Sequence, residues 1–354
     1  MYSPIVSVII PVYNISAYLP GCLNSLIHQT LSEIEILCID DASTDDSVQI
    51  IKSFQEQDAR VHLLQQPHRG VSEARNLGIS HAGGKYISFV DGDDWIENDM
   101  LATMLAKMEE TECDMVICSS NVHFEQQSIR SLRRHNSVQA ALTVEEHIWN
   151  TDGTVDGIWN VAKHAGSWPF IWNKLIRSDL IKENAIRFSP ALPLGEDGVF
   201  LHLLFQYAKK IVFVPKALYH YRYQRKSSAT ENLFQHEIIR FQKHIDVAGV
   251  MLREFHERKL FDKNRMQLLQ WLLSFFYADF IHLPAVNRQE AAGMLQNLFA
   301  QYGLATGADC LSPMEQKRLK NMLEAIKGCT EAKRLFDIVQ TKVENRMRRI
   351  FAGK

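Results

Sequence analysis

Val6-Ser7-Val8-Ile9-Ile10-Pro11-Val12-Tyr13-Asn14 is a short apolar run, rich in β-branched residues, that breaks into a polar turn. Such a run reads as a strand buried on both faces. Four more of this kind follow, at residues 34–39, 61–64, 86–90 and 115–118. Between the first of them lie segments of helical spacing, 17–29 and 47–54, the second with Val48, Ile51 and Phe54 on one face. Ser43-Thr44-Asp45-Asp46 reads as a helix start, a hydroxyl cap with carboxylates in the first turn. Strand and helix in alternation predict an α/β fold, a mostly parallel sheet with helices on both faces. Ligands of such sheets lie outside the carboxyl ends of the strands. That rule gathers Pro11-Val12-Tyr13-Asn14, Asp40-Asp41 and the cluster Asp91-Gly92-Asp93-Asp94 into one crevice.

The cluster places three carboxylates within four residues at a strand end. Like charges this close repel, so fold stability gains nothing from them. A strand end of this composition suits a hard divalent cation, since Mg²⁺ and Mn²⁺ take carboxylate oxygen and keep positions open for phosphates. A solvated acidic turn is the alternative for such a motif standing alone. Other phosphate and metal signatures are absent. No G-x-G-x-x-G follows the first strand, Gly83-Gly84-Lys85-Tyr86 runs into a strand and lacks the phosphate-loop residues, and no zinc spacing occurs.

The 354 residues, 46% hydrophobic and 23% charged, read as a globular chain of two domains or of one domain with an appendage. A net charge of -2 argues against a nucleic-acid partner, although residues 314–354 hold eleven Lys/Arg against five Asp/Glu. Six cysteines without framework spacing fit a reducing cytosol. The apolar run 5–12 has no basic flank and ends in a polar turn, so no signal peptide is expected there. The stretch 271–283 carries Asp279 and is too short for a membrane span, so a buried helix is expected there. Residues 120–165, polar with scattered aromatics, read as irregular or as a lid, and the pattern turns helical from about 231.

Four stretches in order resemble the family 2 glycosyltransferases: 6–14, Ile39-Asp40-Asp41-Ala42-Ser43-Thr44-Asp45, Gly70-Val71-Ser72-Glu73-Ala74-Arg75-Asn76-Leu77-Gly78, and Phe89-Val90-Asp91-Gly92-Asp93-Asp94-Trp95. The resemblance implies the inverting, Rossmann-like GT-A fold over about 1–225, with a nucleotide-sugar half at 1–120 and an acceptor half at 121–225. A helical C-terminal region at 226–354 follows. It implies a UDP-sugar donor and a divalent metal cofactor, Mn²⁺ or Mg²⁺. Pro11, Val12 and Tyr13 resemble the floor under the nucleobase, Asp41 the carboxylate that meets the base, and Arg75 a nucleotide-contacting cation. Asp91-Gly92-Asp93 resembles the DxD motif, Asp91 reaching ribose and metal and Asp93 holding the metal, with Asp94 behind them. From the residues alone, Tyr13 also fits a core aromatic, Asp41 a turn residue, and Arg75 an ion-pair partner for the acidic cluster.

Leu194-Gly195-Glu196-Asp197-Gly198-Val199-Phe200 resembles the family's E-D segment, which makes Asp197 the candidate general base and Glu196 a candidate acceptor or diphosphate contact. Both also fit plain helix-start residues. Trp168-Pro169-Phe170-Ile171-Trp172-Asn173-Lys174-Leu175 resembles an acceptor-side segment, where Trp172 stacks on a sugar or packs in the core. In 219–228, Arg222, Arg225 and Lys226 are candidates for holding the diphosphate and His220 for a metal ligand, with a solvated basic strand as the alternative. Leu335, Val339, Val343, Met347 and Ile350 among basic residues form an amphipathic helix over 335–351, suited either to an anionic inner-membrane surface or to its own domain. The resemblance thus implies a cytoplasmic enzyme, peripheral on the inner membrane, that acts on a glycan or lipid-linked glycan of the bacterial surface. Two rivals remain, a sugar-nucleotide-forming nucleotidyltransferase and a non-catalytic nucleotide-sugar-binding scaffold. The first lacks a glycine- and lysine-bearing loop after strand one, and the second has no need of Asp93 and Asp197 together.

Overall fold

Strand β1 (Val6–Val12) lies between two parallel neighbours, β2 (Ile34–Asp40) and β4 (Tyr86–Phe89), with Val6 opposite Ile34 on one side and Tyr86 on the other. Both faces are covered, so Val6, Val8, Ile9 and Ile10 are fully buried and the run is continuously apolar. The computed structural model describes residues 3–124, 140–142, 147–150, 159–160, 170–223 and 237–304. It divides into two compact units, Met1–Arg225 and Lys226–Lys354.

In the first unit, β3 (Val61–Gln65) extends the parallel block beside β2. Helices α1 (Leu19–Ile27), α2 (Ser47–Gln57) and α3 (Val71–His81) make the crossovers between β1, β2, β3 and β4. Helix α3 presses on β1 closely enough that a Cβ on Gly78 would come within 2.4 Å of the Ile9 side chain. After β4 come β5 (Trp95–Ile96), α4 (Met100–Thr111), the long β6 (Met115–Phe124), β7 (Ala140–Leu142), β8 (His147–Asn150) and β9 (Lys174–Arg177). Helices α5 (Ser178–Glu183) and α6 (Glu196–Tyr207) and strand β10 (Lys210–Tyr223) complete the unit.

The ten strands form one sheet in the order β3-β2-β1-β4-β9-β6-β10-β5, with β7 on β6 and β8 on β10. The parallel pairing expected from the sequence covers β1 to β4 and the β6–β10 ladder. Strand β9 enters antiparallel between β4 and β6, with Ile87 opposite Ile176 and Val116 opposite Leu175, so the sheet is mixed. Helical crossovers dictate strand direction in the first block; the direction of β9 is a long-range pairing that no local pattern encodes.

Residues 43–47 depart from the expected hydroxyl cap. Helix α2 starts at Ser47 behind Asp46, with no side-chain capping bond. Three of these side chains turn to the loop after β1, while the other Asp45 oxygen, Oδ1, accepts the Ser47 N–H at 3.0 Å. Ser43 Oγ accepts from the Asn14 N–H at 3.1 Å, Ser47 Oγ from Ile15 at 3.2 Å, and Asp45 Oδ2 from Ser16 at 2.9 Å. These bonds hold the 14–16 backbone, of which Ile15 is buried and needs a partner there. Cys22, Cys38, Cys113 and Cys118 are free and buried, and burial pushes the Cys38 and Cys118 thiols up to about 12.

The second unit comprises α7 (Glu237–Glu257), α8 (Phe261–His282) and α9 (Ala285–Gln301). Phe241 of α7 meets Phe276 and Phe280 of α8, with ring centroids 5.5 and 6.1 Å apart. Leu272, Leu273, Phe276, Phe280 and Leu283 are buried, so the 271–283 stretch serves a helical core. Among the described residues no helix is long and apolar enough to cross a membrane. The amphipathic segment expected at 335–351 lies outside the described residues.

Candidate active site

Helix α3 starts at the carboxyl end of the parallel block and carries Arg75, which is 3% exposed. Its Nη2 donates to Asp91 Oδ1 just past β4 at 2.9 Å, and its Nη1 donates to Glu196 Oε1 and Asp197 Oδ1, each at 2.8 Å. Phe188 lies under the guanidinium, 5.2 Å from its carbon to the ring centroid. One guanidinium thus joins three carboxylates from two distant segments. Burial alone would lower its proton affinity, but Asp197, Asp91 and Glu196 together raise it. The ion-pair arrangement the sequence allowed for Arg75 is therefore present.

Helix α6 brings the other two carboxylates. Gly195 at its N-cap takes φ 83°, a left-handed conformation that glycine adopts at no steric cost. Glu196 and Asp197 stand in the first turn, where the helix dipole favours anions, but they turn to Arg75 and make no side-chain cap bond. Asp197 Oδ2 also accepts the Ile171 N–H at 3.2 Å. Burial raises the Asp197 carboxyl to about 7, with Glu196 and Asp91 adding to the rise against the pull of Arg75. A carboxyl poised there suits a proton acceptor near neutral pH.

The acidic turn is held from β10. Tyr219 Oη donates to Asp94 Oδ2 at 2.7 Å and accepts the Asp91 N–H at 3.1 Å. The Arg222 N–H donates to Asp94 Oδ1 at 2.7 Å, and Arg222 Nε donates to the Asp93 carbonyl at 2.9 Å. Arg222 is sandwiched between Tyr18 and Trp95, 5.0 Å from each ring centroid. Asp94 is 1% exposed, and burial beside Asp93 and Asp91 holds its carboxyl well above the ordinary range. It therefore braces the turn from behind. Gly92 permits the close approach: a Cβ there would stand 2.4 Å from Ile15 Cδ1. Asp91 and Asp93 are left partly exposed at the front.

Among the described residues no three His, Cys, Asp or Glu side chains are arranged to hold a metal by themselves. Two carboxylates on a braced turn nonetheless fit a divalent ion that completes its shell with substrate phosphates and water. His220 does not face that turn as a free ligand. Its Nδ1 pairs with His123 Nε2 at 2.9 Å, its Nε2 with Glu97 Oε1 at 2.8 Å, and its ring stacks on Trp95 at 5.0 Å. Burial also lowers the proton affinity of His123.

At the other end of the crevice, Tyr13 is 45% exposed and stacks on His68 at 4.3 Å, while Val12 is buried and Pro11 half-buried. Asp41 is 3% exposed. Its Oδ1 accepts from Gln66 Nε2 and the Arg69 N–H, each at 2.7 Å, and its Oδ2 from the Gly70 N–H at 2.9 Å. The carboxylate thus organises the loop that leads into α3, the turn role the sequence left open. His68 had no signal of its own, being one polar residue in a polar loop.

Trp172 is 2% exposed and stacks with Tyr219 at 4.3 Å, Phe170 at 5.0 Å and Tyr221 at 5.2 Å. Its faces are taken by neighbouring rings, which makes it a core aromatic with no free platform for a sugar. Arg225 and Lys226 lie outside the described residues. Lys174, which sequence reasoning passed over, is fully buried, and burial lowers its ammonium to about 7 against the opposing pull of Asp197 and Cys118.

Comparison with known proteins agrees with this architecture. The family described as Glycosyl transferase family 2 matches residues 7–175. Glycosyltransferase GlyG of Streptococcus pneumoniae is 34% identical over 221 residues, 62% of this chain and 71% of GlyG. Glycosyltransferase GlyA of the same organism is 33% identical over 63% of this chain, a match that spans only 31% of GlyA. The crystal structure of S. aureus TarS superposes with a TM-score of 0.65 at 20% identity, covering 91% of this chain and 54% of TarS, which makes the fold of the α/β, GT-A class. At 34% identity over 71% of GlyG, and with the family match at residues 7–175, the chain belongs to glycosyl transferase family 2.

Proposed function

We propose that this chain is an inverting glycosyltransferase that moves a hexose or N-acetylhexosamine from a UDP-sugar to a hydroxyl of a growing bacterial surface glycan. The lipopolysaccharide, capsule or O-antigen class of acceptor follows from the family resemblance. The observation that carries the reading is the Arg75 bridge, which links the acidic turn after β4 to Asp197 at the start of α6. A donor diphosphate at the turn would then have a general base within the same crevice.

In this reading Asp197 accepts the proton of the acceptor hydroxyl as its oxygen attacks the anomeric carbon. The bond from that carbon to the donor diphosphate breaks on the opposite face, and inversion follows. Asp93, with Asp91, would hold Mg²⁺ or Mn²⁺, which supplies charge neutralisation for the departing diphosphate. Tyr13 offers an aromatic face to the base, with Pro11 and Val12 beneath it and Gly92 keeping the turn close. Arg75 orients the carboxylates of Asp91, Glu196 and Asp197, Arg222 braces the Asp91–Asp94 turn, and Arg225 is the candidate cation for the diphosphate in the sequence after β10. The catalytic domain would occupy about 1–225, followed by the helical region 226–354, with 335–351 as a contact for the cytoplasmic face of the inner membrane.

A thermal-shift panel tests this reading. UDP-, GDP-, dTDP- and CMP-sugars are compared with and without Mn²⁺ on wild type, Asp93→Ala and Asp197→Ala. Metal-dependent stabilisation by one UDP-sugar, lost in Asp93→Ala and kept in Asp197→Ala, is expected. Stabilisation by no nucleotide sugar would sink it.

A further inference from the structure

Lys174 occupies β9 between β4 and β6 with no exposed surface. A buried ammonium is costly, and an apolar side chain of similar length would fill that place more cheaply. Its bonds point towards the site. Nζ donates to the Phe170 carbonyl and, at 2.8 Å, to Asn173 Oδ1. Asn173 is itself tied to β6, its Nδ2 donating to the Cys118 carbonyl at 2.7 Å and its carbonyl accepting the Cys118 N–H at 3.1 Å.

The Phe170 carbonyl and the Ile171 N–H belong to one peptide group. Lys174 holds its oxygen end, and Asp197 Oδ2 accepts from its nitrogen end at 3.2 Å. A strong donor at the oxygen polarises the peptide and strengthens the opposite N–H as a donor. We propose that Lys174 is a positioning residue for transfer, fixing the Phe170–Ile171 peptide so that its N–H clamps Oδ2 of Asp197 while Arg75 clamps Oδ1. With one donor on each oxygen the carboxylate plane is fixed, and the remaining lone pairs face a fixed direction. The inference rests on the reading of Asp197 as the base.

The test uses the full chain with Lys174→Met, Lys174→Gln and Asp197→Asn. UDP release is followed with whichever of UDP-glucose, UDP-galactose, UDP-N-acetylglucosamine and UDP-N-acetylgalactosamine wild type turns over fastest. Lys174→Met is expected to keep its melting temperature and a donor KM within about twofold, while kcat falls roughly tenfold to a hundredfold. Lys174→Gln, which keeps a donor without the charge, should fall between the two. In protein labelled with ¹⁵N-isoleucine, the Ile171 amide resonance should move in Lys174→Met and in Asp197→Asn. This readout applies even if none of the four donors is turned over, and in whichever Lys174 variant folds. An unmoved Ile171 amide, or kcat within about threefold of wild type in both Lys174 variants beside an inactive Asp197→Asn, overturns the role of Lys174 alone. An active Asp197→Asn overturns the base reading and the inference with it.

Discussion

Arg75 Nη1 lies 2.8 Å from Asp197 Oδ1, across 122 positions of sequence, and the same guanidinium reaches Asp91 with its other terminal nitrogen. The contact ties the turn after β4 to the start of α6 through one buried charge. The partners are not equivalent: removing Arg75 leaves three carboxylates without their shared cation, whereas removing Asp197 still leaves Arg75 paired with Asp91 and Glu196.

Arg75→Met should destabilise the protein by about 3–5 kcal/mol, because three carboxylates lose their shared cation inside a buried site. Arg75→Lys keeps the charge, but a single ammonium cannot copy the planar fork, so it should recover only part of the loss. Denaturant unfolding of the variants beside wild type measures both values.

The Asp197 carboxyl, raised to about 7 in the folded chain, should give transfer an acidic limb near that pH, with kcat/KM rising as the base ionises. The stability consequence has a definite sign. A raised carboxyl contributes stability below its unfolded value of about 4 and loses it as pH rises through about 7. Asp197→Asn should therefore melt higher than wild type at pH 8, with the gap closing towards pH 5. Calorimetry across that range checks it, and a variant that is less stable at pH 8 would contradict the burial argument.

Tyr219→Phe removes the hydroxyl that joins the Asp91 N–H to Asp94. The buried Asp94 carboxyl and the part-buried Asp91 N–H each lose a partner, at a cost of about 1–3 kcal/mol. The turn should also loosen, so nucleotide with Mn²⁺ should bind more weakly than to wild type. Titration calorimetry with UDP reads the second effect separately from the first.

Tyr13→Ala should weaken UDP binding roughly threefold to tenfold, the usual range for one aromatic stacking contact. The melting temperature of the free protein should hardly change, since Tyr13 is 45% exposed. Equal affinity in the variant would remove Tyr13 from the donor site.

The strands at 6–12, 34–40, 61–65 and 86–89, the helices between them, and the carboxylates at their ends were legible because each depends on local period and composition. Side-chain alternation, β-branched runs and helical spacing are short-range properties, and the rule about strand carboxyl ends then gathers Tyr13, Asp41 and Asp91 into one crevice. Partner choice is not short-range. The antiparallel entry of β9, the grip of Asp41 on the 66–70 loop, the closure of Trp172 among aromatic rings and the pairing of His220 with His123 and Glu97 were all decided by tertiary packing. Lys174 is the sharpest case. In the chain it is one basic residue after Trp172 and Asn173, and only its burial between β4 and β6 puts its ammonium on the peptide that holds Asp197. Sequence carries which groups are available, while the buried, low-dielectric setting that sets their charge and aim exists only once distant strands have paired.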